Sequence, residues 1–261
     1  MENTIEPWTT FATILCETGF VVFRSLMTLF VLVNLPIALA MACRAAPLDD
    51  LRLEVHPAAS RSDTFVVLLS GDGGWQAIDQ ALTDRFNQAG IGVIGLNSRT
   101  YFFERKSPRI LARDLERIIA VYSATWKARR IGLVGYSFGA DALPFAWPYL
   151  SPATKRATRT IALLGLEPTA NFRISIWEML DLPAADDVPV APALRGLPMH
   201  KVVCIYGAGE RADGETACIA PELRAATRIE RAGGHRFDAD YGGVGDILVR
   251  RMLPLPSPIR K

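Results

Sequence analysis

The sequence predicts a single doubly wound α/β domain, a mostly parallel sheet with helices on both faces. Three observations lead there. From residue 51 onward, short β-branched or apolar runs alternate with stretches of helical periodicity. Several runs, such as Val66-Val67-Leu68-Leu69 and Ile131-Gly132-Leu133-Val134, are apolar on both faces, as a strand covered by helices on each side must be. The chain of 261 residues, 50% hydrophobic and 21% charged, can build a sizeable core and is too apolar for a disordered chain or a fibre.

Taken in order, strands are expected at Leu51–His56, Thr64–Ser70, Ile91–Leu96, Arg130–Gly135, Thr160–Gly165, Lys201–Tyr206 and Thr227–Arg231. The first helix is expected at Trp75–Ala89, where Trp75, Ile78, Leu82, Phe86 and Ala89 recur at helical spacing. A second is expected at Pro108–Lys127, with Leu111, Leu115, Ile118, Ile119, Tyr122 and Trp126 on one face and proline in the first turn. A third opens after Ser137 and runs to Pro148. Residues 168–200 break the rhythm with five prolines, an apolar segment (Phe172–Leu180) and three aspartates, and read as an excursion over one end of the sheet.

The N-terminal part is of another kind. Ser25 to Cys43 is free of charge, follows Arg24 and ends in the A-x-A pattern Ala40-Met41-Ala42. Residues 1–46 are therefore expected to be an export signal or membrane anchor with a leader, and residues 47–261 the folded domain, delivered to the periplasm. Whether the segment is cleaved, lipidated at Cys43 or kept as an anchor is open. Of the remaining cysteines, Cys204 and Cys218 are either bridged, which an oxidising compartment permits, or two buried thiols. With 29 basic and 27 acidic residues and no long run of one sign, direct nucleic-acid binding is not expected.

The chemistry concentrates in Gly135-Tyr136-Ser137-Phe138-Gly139. A G-x-S-x-G sequence between a strand and a helix is the setting of a nucleophile elbow, which exposes Ser137 at the C-terminal edge of the sheet and aims the Phe138 N–H at a developing oxyanion. Three histidines are available as base. His56 falls in the first strand and His200 at the wrong end of a strand, whereas His235 in Ala232-Gly233-Gly234-His235 follows a late strand on the correct edge and in the chain order serine, acid, histidine. The acid should follow the strand Lys201–Tyr206, where Glu210, Asp213 and Glu215 are all candidates, Glu210 foremost. The second oxyanion donor is expected from Ser70-Gly71-Asp72-Gly73-Gly74-Trp75, through the Asp72 N–H, with its carboxylate free to hold the loop or meet a cationic substrate group. This loop lacks the spacing of a nucleotide-binding glycine motif. Finally, Asn97 to Lys106 joins Arg99, Arg105 and Lys106 to Tyr101, Phe102 and Phe103, cations suited to a phosphate and rings suited to an acyl or membrane surface.

Together, S-G-D-G-G-W, N-S-x-x-Y-F, G-Y-S-F-G-A-D, C-I-Y-G and G-G-H-x-F-D-x-D-Y resemble the bacterial virulence VirJ family, which includes the C-terminal half of AcvB, over roughly residues 50–252. The resemblance implies an exported, periplasmic α/β-hydrolase-like fold needing neither cofactor nor metal. It implies, on the AcvB side, hydrolysis of the aminoacyl ester of lysyl-phosphatidylglycerol. On the VirJ side it implies an accessory role in type IV secretion, with T-DNA and effector substrates or channel components as partners. The expected enzyme is a serine esterase with Ser137, His235 and Glu210 or Asp213 as catalytic residues, Asp72 and Phe138 at the oxyanion, and Arg99, Tyr101 and Arg105 against the lipid.

Overall fold

Seven strands hydrogen-bond into one sheet: β1 (Leu53–His56), β2 (Thr64–Leu69), β3 (Gly92–Leu96), β4 (Arg130–Tyr136), β5 (Thr158–Leu164), β8 (Val202–Gly207) and β9 (Thr227–Arg231), in the order β1-β3-β2-β4-β5-β8-β9. The computed structural model describes residues 48–60, 62–174 and 187–253. The apolar segment Ser25–Cys43, and with it the expected signal or anchor, lies outside the described residues. Only β1 runs antiparallel, against β3 at the edge, and every other pairing is parallel. Among the described residues, no helix is long and apolar enough to cross a membrane.

The sheet separates two cores, as its sequence pattern requires. Along β2, Phe65, Val67 and Leu69 enter one core and Val66 and Leu68 the other, and all five are buried. The first core is closed by α3 (Pro108–Trp126) through Leu111, Leu115 and Ile118, and by α4 (Phe138–Ala146) through Ala140, Ala142 and Leu143. The second is closed by α1 (Ala77–Gln88) through Ile78, Leu82 and Phe86, and by α8 (Tyr241–Met252) through Val244 and Leu248. The Ser107 hydroxyl accepts the Ile110 N–H at 3.3 Å and starts α3 at the proline.

α1 begins two residues later than its periodicity implied. The Asp79 carboxylate accepts the Gln76 N–H at 2.9 Å and caps the helix there, so Trp75 stays outside and stacks on His56 with ring centroids 5.7 Å apart. In the excursion after β5, β6 (Thr169–Ala170) and β7 (Val188–Pro189) form a short antiparallel ladder, followed by one helical turn at Ala191–Leu194. Residues 175–186 of that excursion lie outside the described residues.

The topology places the loops. From β2 the chain crosses to β3 on one side, then returns to β4 on the other, so the loops after β2 and β4 flank the point where strand order reverses. Register aligns Leu69 with Leu96 and Gly135, and Tyr136 with Leu164. The segments following these strands, and those following β8 and β9, therefore emerge along one edge.

Candidate active site

Ser137 joins β4 to α4 in a single residue, and the backbone is bent to do it. Its φ of 51° and ψ of −124° put a non-glycine residue in a region that costs about 1–3 kcal/mol. The surroundings impose it: the Ser137 N–H donates to the Leu164 carbonyl at 2.8 Å, and the Ser137 carbonyl accepts the Ala140 N–H at 2.7 Å. The flanking glycines serve close approach. A Cβ on Gly135 would fall 2.4 Å from the Gly139 carbonyl oxygen, and one on Gly139 would fall 2.4 Å from that of Leu69. Any side chain at either position would push the helix off the sheet.

His235 Nδ1 stands 2.7 Å from Glu210 Oε1. Glu210 sits in the first turn of α7 (Ala208–Asp213), 2% exposed, and its other oxygen accepts the Gly207 N–H at 2.5 Å. Both oxygens are thus committed, which holds the Nδ1–H tautomer and leaves Nε2 as the basic nitrogen. The acid and histidine loops are joined by the Gly209 N–H donating to the Gly233 carbonyl at 2.9 Å. Gly165, at φ +59°, leaves room for the imidazole, since a Cβ there would lie 2.8 Å from His235 Cε1. Tyr136 lies behind, its ring 5.3 Å from that of His235. Asp213 does not join this group. It is exposed at the far end of α7, a turn beyond Glu210, and Glu215 is exposed after it. His56 is on the edge strand and His200 in the turn before β8, so neither reaches this edge.

The glycine loop after β2 passes Ser137, a Cβ on Gly71 falling 3.4 Å from Ser137 Cβ. The loop closes on itself through the Gly74 N–H to Gly71 carbonyl bond of 3.1 Å, and Asp72 Oδ1 accepts the Gly73 N–H at 2.8 Å. Phe138 is the first residue of α4, so its N–H has no acceptor within the helix and lies at the positive end of the helix dipole.

Two acids that the sequence reading passed over complete the electrostatics. Asp141, one turn into α4 and 5% exposed, accepts the Glu167 N–H at 2.8 Å. Burial first, then the charges of Glu167, Glu210 and Asp72, push its carboxyl well above the usual carboxylate range. Glu167 is itself pushed up by burial and by Asp72, Glu210 and Glu215, against the opposing pull of His235. His235 feels the same acids: burial lowers its pKa, but the Glu210 hydrogen bond and the charges of Glu210, Glu167 and Asp72 outweigh that and raise it above the ordinary 6.5. Both missed residues were visible as acids close behind strands, Asp141 two residues past the elbow motif and Glu167 in Gly165-Leu166-Glu167.

The segment after β3 opens with a helical turn, α2 (Ser98–Tyr101), and gives a different environment. Arg99 is exposed and lines a cleft of about 640 Å³ with Arg52, Lys106 and Arg113, among the acids Asp50, Glu104 and Asp114. Its Cβ would lie 3.4 Å from a Cβ on Gly74, so it stands between that cleft and the glycine loop. Tyr101 departs from expectation. Its hydroxyl donates to the buried Asp114 at 2.9 Å and the residue is 8% exposed, so its polar end holds α2 against α3 while what remains exposed lines the Arg99 cleft. Phe102 is fully buried, 4.8 Å from the Phe138 ring. Arg105 is exposed beyond it and is not part of the cleft wall.

The family model described as "Bacterial virulence protein (VirJ)" matches residues 63–254. No curated protein matches the sequence. Among solved structures, MenH from S. aureus is similar with a TM-score of 0.55 at 13% identity, over 77% of this chain and 99% of its own. A lipase-esterase related protein from Clostridium acetobutylicum gives 0.53 at 12%, over 78% and 99%. Est1E from Butyrivibrio proteoclasticus gives 0.52 at 10%, over 78% and 96%. At these identities the likeness concerns the fold, which is that of the α/β hydrolases.

Proposed function

The chain belongs to the VirJ family of bacterial virulence proteins and has an α/β-hydrolase fold, and on that premise we propose that it is a periplasmic serine esterase that removes the aminoacyl group from aminoacylated phosphatidylglycerol. The observation that carries the esterase reading is the strained Ser137 elbow on the same sheet edge as an imidazole held by Glu210 at 2.7 Å. Ser137 Oγ attacks the aminoacyl carbonyl while His235 Nε2 takes its proton. The Phe138 and Asp72 amides meet the oxyanion. His235 then protonates the departing glycerol oxygen, and water, activated by the same nitrogen, releases the amino acid from Ser137.

Electrostatics support a cationic acyl group. Asp72, Glu167 and Glu210 all act on His235, a setting that favours an ammonium-bearing ester over an anionic one. Arg99, with Arg105 in the loop behind it, is suited to the lipid phosphate. The apolar segment Ser25–Cys43 and the Cys204–Cys218 disulfide both fit an exported, oxidising location.

The test is direct. Purified protein incubated with lysyl-phosphatidylglycerol in mixed micelles should release lysine and phosphatidylglycerol, and the Ser137→Ala chain should release neither. Release of lysine by Ser137→Ala at the parent rate, or no release by the parent chain, would reject the reading.

A further inference from the structure

The charges of this protein are sorted by place. Acids gather at His235, while between Arg99 and Arg113 the chain carries five basic residues and one acid, Glu104, against a net charge of +2 for all 261 residues. Within this basic stretch Phe103 is 71% exposed, the most exposed large hydrophobic side chain among the described residues. Its neighbours are not: Phe102 is fully buried and Tyr101 is 8% exposed. The loop that presents Phe103 is fastened on both sides, by the Lys106 N–H to the Phe172 carbonyl at 2.9 Å and by the Ile174 N–H to the Phe102 carbonyl at 2.9 Å. An apolar ring is thus held out to solvent by a backbone that has hydrogen bonds to hold it there. Six residues on, the Arg109 guanidinium lies 4.4 Å over the ring of Tyr149, itself 46% exposed. Cations interleaved with exposed aromatic rings match the headgroup level of a bilayer, where rings sit at the boundary and guanidinium groups meet phosphate.

We propose that this ridge, Phe103 with Arg99, Arg109 and Tyr149, docks the protein on an anionic phospholipid bilayer, Phe103 entering the boundary between headgroups and acyl chains. The Arg99 cleft beside the glycine loop then faces the lipid surface, and an ester at headgroup height is presented to the edge that carries Ser137. The ridge deepens the lipid-substrate reading, but docking is measurable without turnover, so the two can fail separately.

The probe is the full chain carrying Ser137→Ala and Phe103→Trp, compared with Ser137→Ala alone, on vesicles whose acyl chains are brominated. The N-terminal apolar segment could hold either chain on any vesicle, so the signal is local: the extra emission of Phe103→Trp. With phosphatidylglycerol in the vesicles, that emission should shift to the blue and be quenched. Vesicles of phosphatidylcholine alone, 0.5 M salt, or an added Arg109→Glu should weaken the quenching about tenfold. With Ser137 intact, Arg109→Glu should leave hydrolysis of a water-soluble lysyl ester unchanged. No quenching while the chain is on anionic vesicles would overturn the proposal, as would equal quenching on neutral and anionic vesicles. Tight binding of a DNA oligonucleotide without any vesicle response would overturn it by assigning the ridge to nucleic acid. Quenching of the Phe103→Trp emission, with a parent chain that leaves lysyl-phosphatidylglycerol intact, would keep the dock and reject the substrate.

Discussion

The basicity of His235 is set by opposed neighbours. Burial favours its neutral form and the acids around it favour the charged one, and the acids win, so the neutral imidazole that the proposed attack needs is protonated as pH falls through a value above 6.5. The acidic limb of kcat/KM should lie there, and Glu167→Gln, by removing one of the raising charges, should move it to lower pH. Glu210→Gln should cost about 10⁴ in kcat, because the tautomer is no longer enforced, while Asp213→Asn should stay within twofold of the parent. Equal losses in the two variants would dismiss Glu210 as the orienting acid. A second buried acid sets stability instead. Asp79 is fully buried, its Oδ1 has no partner among the described residues, and burial pushes its pKa up to about 6 from 3.8. The folded state therefore holds this proton more tightly than the unfolded chain. The stability the group contributes is complete below 3.8 and is lost as pH rises through about 6, a loss of about 3 kcal/mol. Asp79→Asn keeps an acceptor for the Gln76 N–H and removes the titration. It should gain stability relative to the parent between pH 4 and pH 8 in urea unfolding, and a difference independent of pH would refute this.

At the scale of elements, what the sequence made legible was whatever repeats or obeys a strict local rule. All seven strands of the main sheet and the serine elbow could be read, the inner strands from two-sided apolar runs, the edge strands β1 and β9 from short half-exposed runs, and the elbow from G-x-S-x-G. The acid had alternatives because its loop is partly a helix that no periodicity announces. Once Ala208–Asp213 winds up, Glu210 falls in its first turn and reaches back to the Gly207 N–H, while Asp213 is carried a turn away. The near-burial of Tyr101 was not legible for a similar reason: its partner Asp114 is on another helix, and aromatic rings beside cations look alike whether buried or exposed. The open question of the cysteines closes in favour of a disulfide, Cys204 in β8 to Cys218, spanning the segment that carries Glu210. Closing a loop of this length is worth about 3 kcal/mol, so Cys204→Ala with Cys218→Ala should lower the urea midpoint accordingly. Identical midpoints for the oxidised and reduced parent would show that the bond does not stabilise the fold.

For the molecule as a whole, one edge of the sheet brings Ser137 and the acids around His235 beside the cleft that Arg99 lines. A lysyl lipid carries ammonium groups on the acyl side and a phosphate on the other, and the two charge fields can be tested apart. Asp72→Asn should penalise lysyl esters more than alanyl esters of the same lipid. Arg99→Ala should raise KM for the phospholipid several-fold and leave KM for a water-soluble lysyl ester unchanged, because only the phospholipid has a phosphate to lose. Uniform effects on every substrate would return both residues to the fold. All of this depends on Ser137 being the nucleophile. The direct measurement is reaction of the purified chain with a fluorophosphonate, followed by peptide mapping of the adduct. The account predicts one adduct, on Ser137, absent from Ser137→Ala and formed orders of magnitude more slowly in His235→Ala. An adduct on another serine, or none on a chain that still hydrolyses its ester, would contradict it.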